Sequence, residues 1–209
     1  VNGDSISEII NNRPFSSFNA FQEKTNLNRT VILSLIKGGA FDCFEDRVQL
    51  MERYLRQISE PKKRITLQNF KGLIDNNLVP QELDFQRRLF VFNAALKKYK
   101  KSGEYYCINN NFYDFYEQFF DVDELESYEE TLAVPTKKWQ KMYAKAMEPA
   151  KVYFKEHQED ILAAYNDVLF QEQWNKYANG TISDWEMDAL GYYYHEHPLA
   201  HVQQKAYSI

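Results

Sequence analysis

The chain has 209 residues and a mass of 24.9 kDa, which is room for one or at most two ordinary domains. Its 25 Lys and Arg against 30 Asp and Glu give a formal net charge of −5, so no global basic field draws it onto nucleic acid, and 44% apolar with 16% aromatic residues excludes wholesale disorder. Seven Gly and six Pro exclude fibrous and low-complexity classes; two cysteines, Cys43 and Cys107, cannot build a disulfide framework or a Cys-based zinc site.

No apolar run is long enough to span a bilayer and no signal peptide is visible, so a membrane partner is not expected. The chain starts at Val1, on a turn, and reads as a cytoplasmic fragment of something longer. Charge is graded along it. Residues 1–70 carry ten basic and eight acidic residues, whereas 114–130 hold eight carboxylates and no Lys or Arg, a solvated helix face or connection. The Asp121-x-Asp123 pair inside that run reads as solvated loop rather than metal site.

The apolar period is helical almost throughout. Asn2-Gly3 is a tight-turn pair, with Ser5 and Glu8 spaced as a capping box behind it. Asn28 suits the N-cap of a helix carrying Val31, Ile32, Leu35 and Ile36 on one face, with Gly38 at its C′ position. Phe44, Val48, Met51, Leu55 and Ile58 form one stripe of a long helix that Pro61 ends. Pro80 opens a third helical segment with Leu89, Phe92, Leu96 and Tyr99 inward. The Tyr/Phe alternation of 103–116 suits either a short hairpin or aromatic packing under a helix.

Lys137, Lys138, Lys141, Lys145, Lys151 and Lys155, interleaved with Trp139, Tyr143 and Tyr153, fit an amphipathic helix with a lysine-rich solvent face. They also fit a nucleic-acid backbone track. Lys97 to Lys101 reads as a helix C-terminal charge cluster. Ile161, Leu162, Tyr165 and Leu169 mark a helix that stops near Asn179-Gly180, and Ser183 to Glu186 is spaced as a capping box for the last helix. His195 and His197 stand two apart, about 200° on a helix, and so cannot chelate one ion there. No metal site is expected.

A Gly turn feeding a helix N-terminus presents backbone N–H groups and the positive end of the helix dipole, which suits an anion. Two such turns, Asn2-Gly3 and Lys37-Gly38-Gly39-Ala40, flank Arg13-Pro14-Phe15 as tandem helix-hairpin-helix modules would. On spacing alone, two ordinary helix C-caps explain the same glycines.

The residues carry more. Phe15, Phe18 and Phe21, then Asn28-Arg29, then Leu35-Ile36-Lys37-Gly38-Gly39-Ala40-Phe41-Asp42 with Arg47 following, resemble the helix-hairpin-helix region of the α subunit of bacterial replicative DNA polymerase III. Downstream, Glu186, Leu190-Gly191-Tyr192 and His197-Pro198-Leu199 resemble the same family's later segment, in the family's order. This sequence has Gly-Gly-Ala where the family has Gly-x-Gly, and a much longer stretch between the two blocks, as a phage- or plasmid-borne replicase would accommodate.

The resemblance implies an all-α fold: a tandem helix-hairpin-helix module over 1–59, an added helical subdomain of unassigned role over 60–182, and a C-terminal helix over 183–209 packing back on the N-terminal region, with Gly191 permitting close helix packing. It implies a non-catalytic DNA-binding fragment of a nucleotidyltransferase that holds double-stranded DNA by sequence-independent phosphate contacts. The implied donors are Asn2, Gly3, Ser5, Arg29, Lys37, Gly38, Gly39, Ala40 and Arg47. Catalytic carboxylates and their Mg²⁺ belong to the family's palm domain, so no cofactor is expected here. The implied partners are DNA, the rest of the polymerase chain and other replisome proteins. The alternative is a helical protein-interaction module of a replication complex, with the insertion docking a partner through its aromatics.

Overall fold

The computed structural model describes residues 3–99 and 101–194. In chain order the helices are α1 (Gly3–Asn11), α2 (Phe18–Lys24), α3 (Arg29–Lys37), α4 (Arg47–Ile58), α5 (Phe70–Asp75) and α6 (Asp84–Tyr99). Two strands, β1 (Lys101–Ser102) and β2 (Tyr105–Ile108), precede α7 (Asn110–Phe119), and β3 (Glu126–Tyr128) and β4 (Thr131–Pro135) follow it. The chain closes with α8 (Thr136–Ala146), α9 (Glu148–Glu156), α10 (Gln158–Tyr177) and α11 (Ile182–Leu190). The fold is broadly all-α, as the periodicity implies. None of the described helices is long and apolar enough to cross a membrane.

The chain forms two compact units. One comprises residues 1–61 and 166–209, the other residues 62–165. The second boundary therefore falls at 165/166 rather than at 182/183 as the sequence suggests. The reason is packing: Phe170, Ala178 and Trp185 share a core with Phe18, Phe21, Ile36, Phe41, Leu50 and Leu55, so the end of α10 belongs with the N-terminal helices.

In the first unit, local chemistry sets the helix ends. Ser17, Asn28 and Asp46 each cap a helix by accepting from the amide three residues on, at Ala20, Val31 and Gln49. The core is aromatic: Phe18 and Phe21 meet Phe41 edge-on at 5.0 and 4.8 Å, and Trp174 meets Trp185 at 6.3 Å. Three local expectations shift. On α4 the buried face is Leu50, Met51, Tyr54 and Leu55, while Val48 is exposed and Phe44 precedes the helix, because Asp46 rather than an earlier residue caps it. Ser5 lies inside α1, so its box with Glu8 does not form; Glu8 instead accepts from Asn26 N–H in the α2–α3 loop. The last helix opens on Thr181, whose capping box closes with Asp184 and not between Ser183 and Glu186.

The second unit departs from the all-helical expectation for the insertion. It contains an antiparallel sheet in the order β1-β2-β4-β3, with Tyr106 opposite Val134 and Tyr128 opposite Thr131. Thus 103–116 is both things the sequence allowed, a hairpin into β2 and then a helix. Glu129 and Glu130, both at positive φ, form the β3–β4 turn. The helices α5, α6, α8 and α9 bury Leu73, Leu89, Phe92, Leu96, Trp139 and Phe154 in one core. Trp139 Nε1–H donates to Asn93 Oδ1 at 3.0 Å. Burial pushes the Tyr116 phenol up to about 12. These rings are core, so the insertion's aromatics do not form the exposed docking surface that the alternative reading required. Cys107 is buried in β2 and Cys43 is exposed; both are free.

Leu96 is fully buried at the centre of α6. Leu96→Ala should destabilise the second unit by about 2–5 kcal/mol, read as a lower urea midpoint at unchanged slope.

Candidate nucleic-acid interface

The α3–α4 hairpin is organised by its backbone needs. Gly38 is the C-cap of α3 at φ −78°, and Gly39, at φ +76°, occupies the left-handed C′ position one residue later than the sequence suggests. Gly39 N–H donates to Ile36 O at 3.0 Å and Ala40 N–H to Leu35 O at 2.9 Å, the paired bonds of a Schellman cap. Gly38 N–H donates to Ser34 O at 2.9 Å. The three amides implied as phosphate donors are therefore spent on the helix end. This corrects their assignment: a left-handed cap turns those N–H groups back onto the carbonyls of α3.

Arg47 holds this hairpin and does not face solvent. It is 4% exposed, and its Nη1 donates to Glu186 Oε1 at 2.9 Å and to Lys37 O at 3.2 Å. Its Nε donates to Asp42 Oδ1 at 3.1 Å, and Nη2 pairs with Asp42 Oδ2. Glu186, fully buried on α11, accepts from Tyr194 N–H with its other oxygen at 2.9 Å. The Asp42 hydrogen bond, with help from Glu186 and against burial, raises the guanidinium above its ordinary value. A Cβ on Gly39 would sit 2.2 Å from Arg47 Nη2, so only glycine fits beneath the clamp. A Cβ on Gly38 would meet Leu190 of α11 at 3.2 Å. Arg47 and Gly38 thus fasten α11 to the hairpin. Gly191, by contrast, is the left-handed cap of α11 with nothing near its Cβ position, so close packing is not its role.

The other implied donors divide. Lys37 is tied to Asp188 at 2.5 Å. Gly3 and Ser5 lie on the first turn of α1, Ser5 with a partner of its own. Asn2 lies outside the described residues, as do His195 and His197. Arg29, at the first position of α3, is exposed and has no carboxylate partner among the described residues. Beside it are two residues that the sequence did not single out. Lys176, then Arg29, hydrogen-bond the Tyr177 hydroxyl and hold the phenol below its ordinary value. Lys176 also lies over the Tyr177 ring at 5.0 Å. Two cations thus converge at the N-terminal end of α3. They are about 150 positions apart in the chain, and no sequence pattern links them.

Asp121 accepts from Asp123 N–H at 2.9 Å, and among the described residues no three His, Cys, Asp or Glu side chains are grouped to hold a metal ion.

Residues 1–50 match the helix-hairpin-helix motif. The helix-hairpin-helix segment therefore runs from α1 into the first turn of α4 and includes the Schellman-capped hairpin. Over its whole length the chain is 35% identical to the probable DNA polymerase YorL of Bacillus subtilis strain 168, and equally to the DNA-directed DNA polymerase of Bacillus phage SPbeta. It spans 17% of the length of either. No solved structure matches it.

Arg47→Met would strand the Glu186 carboxylate in the helix-hairpin-helix unit and should cost about 3–5 kcal/mol by urea unfolding, most of it recovered by adding Glu186→Leu. Tyr177 should titrate below the other exposed tyrosines, and Arg29→Ala should move it back up, measured by ultraviolet difference spectra against Tyr177→Phe.

Proposed function

We propose that the chain is a non-catalytic, DNA-holding segment of a replicative DNA polymerase of the bacterial polymerase III α type, gripping the duplex through phosphates without reading sequence. The observation that carries this reading is the helix-hairpin-helix match over 1–50 within a chain similar throughout to two proteins named as DNA polymerases. The convergence of Arg29 and Lys176 beside Tyr177 supports it further, because exposed cations lacking carboxylate partners are the groups that displace counterions from phosphates. The contact set is then Arg29 and Lys176, with Gly3 and Ser5 on the first turn of α1, in place of the hairpin amides and Arg47.

Nucleotidyl transfer and its Mg²⁺ are assigned to a palm domain elsewhere in the polymerase, and no step of that chemistry is routed through these residues. The partners of this reading are double-stranded DNA, the rest of the polymerase polypeptide and other replisome proteins, in the bacterial cytoplasm.

One observation favours the second reading, a protein-interaction module. A groove of about 590 Å³ in the first unit is lined by Ile6, Ile9, Ile10, Phe15, Phe41 and Phe44, an apolar face suited to a protein segment.

Fluorescence anisotropy with labelled duplexes of unrelated sequence tests the proposal. The isolated chain should bind all of them alike, with Kd on the order of 10⁻⁴–10⁻⁶ M that weakens with salt. Arg29→Glu with Lys176→Glu should weaken binding several-fold. Salt-insensitive binding, or an unchanged Kd in that variant, would overturn it.

A further inference from the structure

The helix-hairpin-helix match ends at residue 50, and nothing in it assigns a role to the unit formed by residues 62–165. That unit sorts its charge along the chain. Between Lys101 and Lys137 lie nine carboxylates and no Lys or Arg, whereas Glu148 is the single carboxylate from Thr131 to Lys155, a stretch with six lysines. On α8, Lys138 turns back to Glu124 at 3.8 Å, while Lys137, Lys141 and Lys145 face solvent. The acidic run therefore neutralises little of the α8–α9 surface.

Beside α9 the surface is concave. A groove of about 370 Å³ is bounded by Ile65, Thr66 and Leu67 on one side and by Lys151, Phe154, Lys155 and Gln158 on the other, with no carboxylate in its lining. Its floor is fixed, because Ile65 and Phe154 are core residues and Phe154 stacks edge-on with Phe70 at 5.0 Å. The strand that forms the near wall is preceded directly by Lys63 and Arg64, both exposed. Lys63, Arg64 and Lys155 have no carboxylate partner among the described residues, and Lys151 reaches Glu148 only at 4.0 Å. The buried Gln158 Nε2 lacks a hydrogen-bond partner among the described residues, a donor left unmet at the end of the lysine row.

We infer that this groove is a second DNA-backbone site, in which Lys151 and Lys155, with Lys63 and Arg64 on the opposite lip, hold consecutive phosphates of one strand. The spacing fits: two lysines four apart on a helix are offset by about 6 Å along its axis, close to the step between neighbouring phosphates. The lining fits as well. Apolar Ile65, Leu67 and Phe154 alternate with cations, as a strand presenting sugars between phosphates requires, and the groove is open, as a continuous polymer requires. No donor set reads base edges, so contacts here position the strand without choosing its sequence. The site is independent of Arg29 and Lys176, and stands or falls apart from the reading of the helix-hairpin-helix unit.

The full chain, labelled 24-nucleotide single strands and duplexes, and inorganic tripolyphosphate as competitor provide the test. Lys151→Glu with Lys155→Glu should weaken DNA binding at least fivefold and reduce the salt slope by about 1.8, the value for two phosphates released. Lys151→Arg with Lys155→Arg should retain binding. Lys97→Glu with Lys98→Glu, which changes the net charge equally on exposed positions of α6, should have much less effect. Circular dichroism melts confirm that each variant folds. Parent-like affinity in the Lys151/Lys155 reversal, an equal loss in the Lys97/Lys98 reversal, or saturable tripolyphosphate binding that DNA does not displace would each overturn the inference. Loss of all binding in the Arg29/Lys176 reversal would leave DNA contact to the first unit alone and would also overturn it.

Discussion

The buried contact between Arg47 and Glu186 governs the first unit. Removing two charges from water costs several kcal/mol per ion, and their attraction offsets this only when every polar atom is also bonded. Here the guanidinium meets Asp42, Glu186 and the Lys37 carbonyl, and the second Glu186 oxygen takes the Tyr194 amide. A carbonyl left over at the end of α3, a loop carboxylate and a residue from the last helix are thereby satisfied by one side chain. The requirement for glycine at position 39 follows from the same contact, because the guanidinium occupies the space a Cβ would need.

That arrangement separates two jobs a glycine hairpin can perform. Amides that close a helix end are not available to an anion, so a hairpin stabilised by its own cap depends on side chains for any phosphate contact. In the proposed reading, cations at the start of α3 take over what the hairpin backbone does not offer. The Gly-Gly-Ala sequence fits this division: one glycine supplies the left-handed turn, and the other admits Leu190.

Local features were legible in the sequence and distant ones were not. Asn28 as a cap, the helix around Ile32 and Ile36, and the stop before Gly180 depend on neighbours within a few positions, which periodicity and capping rules capture. Arg47 was visible as a basic residue after a hairpin, but its partner lies 139 positions away, and a basic residue near a glycine turn looks the same whether it faces a phosphate or a buried glutamate. The cluster of Arg29 with Lys176 and Tyr177 escaped for the same reason. The β3–β4 hairpin was hidden differently. Its turn places two glutamates at positive φ, where Asn-Gly is the usual signal, and the surrounding carboxylates gave the stretch the look of a solvated connection.

The placement of the indoles has a spectroscopic consequence. The chain has three tryptophans: Trp139 lies in the core of the second unit, and Trp174 and Trp185 lie within 6.3 Å of each other in the first. Each unit thus carries its own intrinsic fluorophore, one isolated and one a coupled pair. Emission from single-unit tryptophan variants can report whether the two cores melt in one cooperative transition or in two, without any label being attached.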